Sequence, residues 1–435
     1  MDYSNLPDFY SRLDSQFKVT NGDIDAATYT NVDSNFVFSS NYPRHRWFNY
    51  KEGFSPVLVE RIFKEYDLNS KSIVCDPFCG AGTTLAVAKA LGMASIGFEV
   101  NPFAAFVTKV KTTDYDDTDI SAFKKAVQGL NSITVDYSIP LPENDYLKRI
   151  FDDEMLHVQL TIRKYIQSLT EEKSQQLLYF AWLSTLEKCS LYRKAGNGLK
   201  IKTHPPVYGD GGPLTFAINC INEKADSMIE DYSETDNGPT PLVYEESVTS
   251  LNRHVQDGSL DLVLFSPPYA NCFDYTKIYY LELWFGGFVN STADQKDIRM
   301  KSLRSHCHAT WPDRYTSFHL DELNDDILPL LRQQKLWTSR IPDMLNGYFA
   351  DMEEALRQIY DALKVGGHCS IVVSNSAYAG IIIPTDIFLA MIAQRLGFNV
   401  EEIEVERLII TSSQQYKRTE HIRRYLRESI VKLRK

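Results

Sequence analysis

The sequence has 435 residues, of which 43% are hydrophobic and 24% are charged, proportions typical of a globular protein with a large core. A net charge of −11, from 46 basic and 57 acidic residues, disfavours indiscriminate binding to polyanions but allows a locally basic groove. The start lacks a secretory signal, and no apolar run approaches the roughly 18 residues of a membrane span, so a soluble cytoplasmic protein with no membrane partner is expected.

The first recognisable block is KSIVCDPFCGAGTTLAVAKALGMASIGFEVNP, which predicts alternating strands and helices. Strands are expected at Ser72–Cys75 and Ala94–Phe98, with a helix over Thr83–Leu91 between them. This alternation is typical of βαβ units on a parallel sheet.

Two features of this block indicate an adenosine-type cofactor. Gly80 and Gly82 remove side chains where the backbone turns sharply, and the helix that follows offers unpaired N–H groups to an anion. Glu99, just past the second strand, can accept hydrogen bonds from both hydroxyls of a ribose. The turn is neither a Walker A loop nor a complete dinucleotide fingerprint, because it lacks the lysine and the third glycine.

Later in the chain, DLVLFSPPY predicts a buried strand that ends at Phe265 and a rigid loop that begins at Ser266. In an open α/β sheet the ligand crevice lies at the carboxyl ends of the strands, where this loop would present a hydroxyl, proline carbonyls and an aromatic ring. Further buried strands are expected near Leu242 and Ile371, and the terminal ESIVKLRK is expected to form an edge strand.

The combination of DPFCGAGTT, GFEVNP and DLVLFSPPY resembles the S-adenosylmethionine-dependent amino-methyltransferases of DNA, which methylate cytosine N4 or adenine N6. The segment His45–Ile62 resembles the part of that family that closes over the methionine end of the cofactor. Glu246 stands where the family places an acidic or polar residue beside the adenine. The matched elements cover roughly half of the chain.

The resemblance implies a Rossmann-like α/β methyltransferase core with a mostly parallel seven-stranded sheet and a helical insertion. It implies a catalytic loop formed by Ser266, Pro267, Pro268 and Tyr269. It also implies a site for S-adenosylmethionine formed by Tyr50, Asp76, Phe78, Gly80, Gly82, Thr83, Glu99, Asn101 and Glu246.

The residues of the loop suit the chemistry that the resemblance implies. Ser266 and the carbonyl of Pro267 would accept the hydrogens of the target amino group, in a loop that Pro268 keeps stiff. Tyr269 would stack on a target base swung out of double-stranded DNA. Methylation at cytosine C5 is disfavoured, because that chemistry needs a cysteine that follows a proline and the sequence has no Pro-Cys pair.

The expected organisation has five parts. These are an N-terminal segment with the first half of the core (1–113), a mostly helical insertion as candidate for target recognition (114–239), the core continuation with the SPPY loop (240–286), a second insertion (287–342) and the C-terminal part of the core (343–435). Three basic runs, Tyr192–Lys202, Arg299–Arg304 and Tyr416–Arg427, fit either phosphate contacts or a solvated face. The aromatic series that begins at Tyr275 is expected to belong to the core.

Seven scattered cysteines favour reduced thiols over a disulfide framework. The tripeptide at His306–His308 is too compressed for the usual zinc-ligand spacing, so no metal site is predicted. Cys272, close to the SPPY loop, is expected to pack in the core.

The sequence therefore predicts a DNA amino-methyltransferase of a restriction-modification or phage-defence system, with a cognate restriction or defence subunit as candidate partner. Ser266 at the head of the tetrapeptide favours cytosine N4 over adenine N6, because serine is commoner among the cytosine enzymes of the family. Two alternatives stay open: an RNA amino-methyltransferase, and a non-catalytic cofactor-binding subunit that recognises nucleic acid.

Overall fold

The computed structural model describes residues 3–21, 42–196, 198–233, 238–309, 311, 317–409 and 413–435. Its strands are β1 Val19–Asn21, β2 Ile73–Asp76, β3 Ala94–Phe98, β4 Tyr192–Ala195, β5 Gly198–Ile201, β6 Leu242–Tyr244, β7 Leu260–Phe265, β8 Leu363–Ser374, β9 Ser376–Tyr378, β10 Ile381–Ile383, β11 Asn399–Leu408 and β12 Arg427–Arg434.

Its α-helices are α1 Leu6–Asp14, α2 Pro56–Glu65, α3 Thr83–Ala90, α4 Pro102–Thr112, α5 Asp117–Gly129, α6 Asp145–Ile150, α7 Asp153–Gln167, α8 Glu172–Cys189, α9 Gly212–Glu230, α10 Tyr275–Ile278, α11 Tyr280–Phe285, α12 Thr292–Lys301, α13 Leu328–Arg332, α14 Ile341–Ala362, α15 Thr385–Arg395 and α16 Ser413–Thr419. Among these described helices, none combines the length and the apolar character needed to cross a bilayer.

Eight strands form one sheet in the order β1-β11-β12-β8-β7-β2-β3-β6. Its neighbouring strands are parallel except for the two pairs that involve β12. The mostly parallel α/β core is therefore confirmed, but the predicted count of seven strands is wrong. The eighth strand is β1, whose three residues pair with β11 and give too short a pattern to be read from the sequence.

Two strands lie elsewhere in the sheet than predicted. Strand β12 was expected at an edge, yet it lies between β11 and β8 and is buried over all residues but its last. Strand β6 was expected to be buried, yet it is an edge strand and Leu242 is 55% exposed. Burial of a strand depends on which strands pair beside it, and these partners are distant in sequence.

The first βαβ unit follows the sequence closely. Strands β2 and β3 pair in parallel, and α3 crosses between them from Thr83. Gly82, which precedes the helix, has φ of 79°, a left-handed conformation that glycine adopts without strain. The turn after β2 therefore needs this glycine for its backbone conformation.

The range 114–239 contains α5 to α9 and the β4–β5 hairpin. Its helices bury an apolar cluster of their own, centred on residues such as Trp182, whose indole N–H donates to Gln159 Oε1 at 2.8 Å. Phe48, Phe103 and Tyr279 from outside this range belong to the same cluster. The helical range is therefore packed directly onto the elements that surround the carboxyl ends of the strands.

Candidate active site

A cavity with a volume of about 680 Å³ lies where β2, β3 and β7 end. It is lined by all the predicted site residues but one, namely Tyr50, Asp76, Phe78, Gly80, Thr83, Glu99, Asn101, Glu246, Ser266, Pro267, Pro268 and Tyr269. The exception is Gly82, which faces away from the cavity: a Cβ atom there would lie 2.6 Å from Cγ2 of Thr108. Segments that are distant in sequence thus meet at one edge of the sheet.

Asp76 holds the turn that follows β2. One carboxylate oxygen accepts from the backbone N–H of Phe78 at 3.1 Å, and the other accepts from the hydroxyl of Thr84 at 2.6 Å. Asp76 is 2% exposed, and this burial raises the pKa of its carboxyl to about 7. Both oxygens are used within the chain, so Asp76 shapes the turn.

Glu99 joins this turn to the end of β3. Its Oε2 accepts from the backbone N–H of Gly80 at 2.9 Å, and its Oε1 accepts from the backbone N–H of Asn101 at 2.8 Å. Burial raises the pKa of Glu99 to about 7. A carboxylate has about four lone-pair sites, so two remain for hydroxyl groups of a ligand.

Asn101 and Glu246 occupy different parts of the same wall. Asn101 is 3% exposed and caps α4 with its Oδ1, while its Nδ2 is buried without a hydrogen-bond partner. Glu246 is more exposed and its Oε1 lies 3.1 Å from Nε2 of His254. The unsatisfied amide donor of Asn101 suits an acceptor atom of a bound ligand.

Tyr50 packs against the glycine turn and lines the cavity beside it. A Cβ atom on Gly80 would lie 3.0 Å from Cε1 of Tyr50, so the ring packs directly on the backbone there. The ring also stacks on Tyr279, with centroids 4.9 Å apart and planes inclined by 2°. Tyr279 donates its hydroxyl proton to Glu52 Oε2 at 2.5 Å. Tyr279 is core, as the sequence suggested, and it also supports the site.

The β4–β5 hairpin reaches this wall through Lys194. Lys194 is buried in an ion pair with Glu282, and its ammonium lies 4.7 Å from the centroid of the Tyr279 ring. Lys51 donates to the backbone carbonyl of Lys194 at 3.0 Å. The helical range 114–239 is thereby connected to the residues that support Tyr50.

The SPPY loop leads into a chain of hydrogen bonds. Ser266 Oγ donates to the hydroxyl of Tyr269 at 3.4 Å, and that hydroxyl donates to Glu428 Oε1 at 3.3 Å. Glu428 is 2% exposed and pairs with Arg407 through its other oxygen. Burial raises the pKa of Glu428. Glu428 and Arg407 also line the cavity.

Sequence reasoning missed Glu428 and Arg407. They lie at the start of β12 and the end of β11, far from the motifs, and the sequence alone does not reveal that these strand ends lie beside the SPPY loop. The one available signal was a carboxylate at the start of an apolar strand, ESIVKL, where a buried charge needs a partner.

Each of the three basic runs contains a side chain that is paired inside the protein, while others, such as Arg193, Lys301 and Arg418, are exposed. Arg299 pairs with Asp274 at 2.9 Å, and Arg427 pairs with Asp386 at 2.7 Å. Lys194 is also buried in an ion pair. These three side chains therefore neither face solvent freely nor are available to contact phosphates. Cys272 is buried, as expected of a packing residue.

The cavity fits S-adenosylmethionine by its size and its donor set. Its volume of about 680 Å³ lies in the range of roughly 300–1,000 Å³ typical of small-molecule sites. Glu99 offers acceptors to ribose hydroxyls, and the amide of Asn101 offers a donor.

Comparison with known proteins finds type II methyltransferases among the relatives of this chain. The family model described as DNA methylase, of the N6/N4 class, matches residues 4–109. The chain is 28% identical over 401 residues to the type II methyltransferase M.AvaI of Nostoc sp., covering 85% of this chain and 82% of that protein. It is 25% identical over 410 residues to the type II methyltransferase M.BsoBI of Geobacillus stearothermophilus, covering 83% and 79%.

A third relative and a solved structure complete the comparison. The type II methyltransferase M.MjaII of Methanocaldococcus jannaschii is 35% identical over 250 residues, which cover 53% of this chain and 44% of that protein. The solved rRNA methyltransferase aviRa from Streptomyces viridochromogenes aligns over 82% of this chain and 84% of its own, with a TM-score of 0.25 and 10% identity. These comparisons confirm the resemblance predicted from the motifs: the chain is similar to type II methyltransferases over most of its length and to the DNA methylase model over residues 4–109, and such relatives imply S-adenosylmethionine as the methyl donor.

Proposed function

We propose that the protein methylates the N4 amino group of cytosine in double-stranded DNA as the modification enzyme of a restriction-modification or defence system. The observation that carries the proposal is the convergence of Ser266 and Glu99 on one cavity, since one residue suits an amino group and the other suits a ribose. Two relatives named as type II methyltransferases, aligned over most of the chain, support the biological setting. The proposed partner of the protein is a cognate restriction or defence subunit.

The reaction needs hydrogen-bond acceptors beside the target amino group. Its nitrogen is a poor nucleophile because the lone pair is delocalised into the ring. Acceptors that bind its two hydrogens localise the lone pair on the nitrogen again. Ser266 Oγ and the carbonyl of Pro267 are the proposed acceptors. Because Ser266 directs its own proton towards the hydroxyl of Tyr269, its lone pairs stay available to the substrate. S-adenosylmethionine supplies an electrophilic methyl group when it is bound.

The other residues position the reactants. The ring of Tyr269 is the proposed stacking surface for a flipped base, and its link to Glu428 restricts rotation of that ring. Pro268 limits the freedom of the loop backbone. Most of the rate enhancement would then arise from orientation, with no covalent intermediate on the protein.

The proposed cofactor site uses the residues predicted from the sequence. Glu99 binds the ribose, Glu246 lies beside the adenine, and Tyr50 covers the methionyl part. Asp76, Phe78, Gly80, Gly82, Thr83 and Asn101 shape the two turns that hold it.

The preference for cytosine N4 follows from the residue at the head of the loop. Ser266 is a neutral acceptor and binds an amino hydrogen more weakly than the aspartate that heads most adenine enzymes of the family. Both bases present the same H₂N–C=N edge, so the space beside Tyr269 must also discriminate pyrimidine from purine.

Target recognition is assigned to the range 114–239. The support is the β4–β5 hairpin, which joins the helices of this range to the cavity wall through Lys194. The ranges 1–113, 240–286 and 343–435 supply the proposed methyltransferase core, and 287–342 forms a second insertion.

The test is a methylation reaction with S-adenosylmethionine and duplex DNA, followed by mass spectrometry of the released nucleosides. N4-methylcytosine is the expected product. N6-methyladenine in its place would contradict the base preference while leaving amino-methylation intact, and methylation of RNA alone would contradict the DNA substrate. A Ser266→Ala variant should lose most of its turnover and keep its thermal stability.

A further inference from the structure

A buried lysine with no carboxylate partner lies at the cavity. Lys111, on α4, is 2% exposed and lines the cavity wall. Its ammonium donates to the backbone carbonyl of Ala81 at 2.8 Å, its single acceptor among the described residues. An ammonium has three donors, so two of them have no acceptor within the described chain.

A second lysine shows how the protein treats a buried ammonium elsewhere. Lys89, on α3, is also fully buried, but its ammonium lies 2.6 Å from Asp114 Oδ1 and 2.8 Å from the carbonyl of Thr112. Burial lowers the pKa of Lys111 to about 7, as expected for a cation removed from water without a counter-charge. An unpaired buried cation is costly, so its presence at a ligand cavity points to an anionic ligand.

His45 supplies a second buried polar group without a partner in the same cavity. It is 7% exposed, lines the cavity, and its Nδ1 is buried without a hydrogen-bond partner. Burial, followed by the nearby charge of Lys111, lowers the pKa of His45 well below its ordinary value, and either nitrogen of an imidazole can carry the proton that it donates to an anion. The two segments are fixed together by Arg44, whose Nη1 donates to the backbone carbonyl of Lys111 at 2.9 Å.

The position of Lys111 relative to Glu99 indicates which anion is bound. Glu99 accepts from the N–H of Gly80, and Lys111 donates to the carbonyl of Ala81, the next residue. The ribose acceptor and the lone ammonium therefore lie at the same glycine turn. A cofactor that carries both a ribose and a terminal carboxylate would engage both.

We propose that Lys111 and His45 form a carboxylate-binding subsite that takes the methionyl carboxylate of the cofactor. The proposal rests on S-adenosylmethionine as the ligand of this cavity. A DNA phosphate shares the same chemistry, but a lysine that is only 2% exposed is a poor contact for the backbone of a duplex.

The test compares two ligands that differ in the carboxylate alone, S-adenosylmethionine and its decarboxylated analogue, by calorimetry on the full-length protein. Lys111→Met should weaken S-adenosylmethionine binding by about tenfold or more, the loss expected for one charge-assisted hydrogen bond. The same variant should bind the decarboxylated analogue as well as the wild type does. His45→Phe should show the same selectivity with a smaller loss.

Lys89→Met is the matched control, because it removes a buried ammonium that does not line the cavity. It should not discriminate between the two ligands, whatever its effect on stability. Equal weakening of both ligands in Lys111→Met, or no weakening of either, would overturn the subsite. If Lys111→Met also lost affinity for duplex DNA in the absence of the cofactor, the subsite would bind a phosphate, and this result too would overturn the proposal. A wild-type protein that binds neither ligand would instead contradict the cofactor assignment itself.

Discussion

At the scale of single residues, the proposed role of Glu99 as the ribose ligand predicts an effect on the affinity for the cofactor. Glu99→Ala should weaken S-adenosylmethionine binding by about one to two decades, because two charge-assisted hydrogen bonds of roughly 1.5 kcal/mol each are lost. Calorimetry measures this directly. Glu246→Ala is the comparison, since Glu246 is more exposed and should matter less. Unchanged affinity in Glu99→Ala would remove this residue from the cofactor site.

The raised pKa of Asp76 predicts that the stability of the cofactor-free protein falls as pH rises. Its folded-state pKa is raised to about 7, so its contribution to stability is complete below the unfolded pKa near 4 and is lost as pH rises through 7. From pH 6 to pH 8 the loss is about 1 kcal/mol. Thermal denaturation should show this decline in the wild type and a smaller decline in Asp76→Asn. An equal slope in both proteins would contradict the assignment.

Two variants of Tyr269 distinguish stacking of its ring on the target base from the role of its hydroxyl in orienting the loop. Tyr269→Phe keeps the ring and loses the hydroxyl that links Ser266 to Glu428, so DNA binding should persist while turnover falls. Tyr269→Ala should also weaken DNA binding, because base–aromatic stacking contributes roughly 1–3 kcal/mol per base. Both variants can be followed by fluorescence anisotropy with duplex DNA and by methylation rates. If the two variants bind DNA equally well, the ring does not stack on the base.

At this scale the sequence predicts the residues whose roles depend on local spacing. Glu99 and Gly80 are nineteen positions apart and meet because a single βαβ unit connects them. Glu428 and Lys111 were not predicted, because their places at the cavity depend on how distant elements pack. The spacing of residues within a motif reflects local geometry, whereas the burial of an unpaired charge depends on the whole fold and cannot be predicted from the motif.

At the scale of elements, a buried ion pair joins the β4–β5 hairpin to α11. Lys194 and Glu282 are 3% and 1% exposed in their side chains, and removal of one partner leaves the other charge buried. Lys194→Met should therefore destabilise the protein by about 3–5 kcal/mol, and the double variant with Glu282→Gln should recover part of the loss. Denaturant unfolding measures both. A double variant less stable than either single variant would contradict this account.

The position of each strand in the sheet was predicted less well than its existence. The apolar pattern of ESIVKLRK identified β12, but its place between β11 and β8 depends on pairings that no local pattern contains. The leading βαβ unit was predicted closely because its partners are neighbours in sequence. Local periodicity therefore determined the elements, and long-range pairing determined their order.

At the scale of the whole molecule, the first and last described elements are held together. Tyr10 on α1 donates to the carbonyl of Ile382 at 2.9 Å, and Arg427 on β12 pairs with Asp14 at 2.8 Å. The five-part division predicted from the sequence is compatible with this, because the proposed core is assembled from three separate ranges. Its boundaries stay predictions.

The interior position of β12 has a consequence for folding kinetics. The strand β12 follows α15 and β11 in the sequence but inserts between β11 and β8, so the facing edges of β8 and β11 stay unpaired until β12 is in place. Contacts between residues distant in sequence slow folding, and unpaired strand edges promote aggregation in the meantime. The protein should therefore refold slowly from denaturant, with a yield that falls as protein concentration rises, and should depend on chaperones when it is synthesised rapidly.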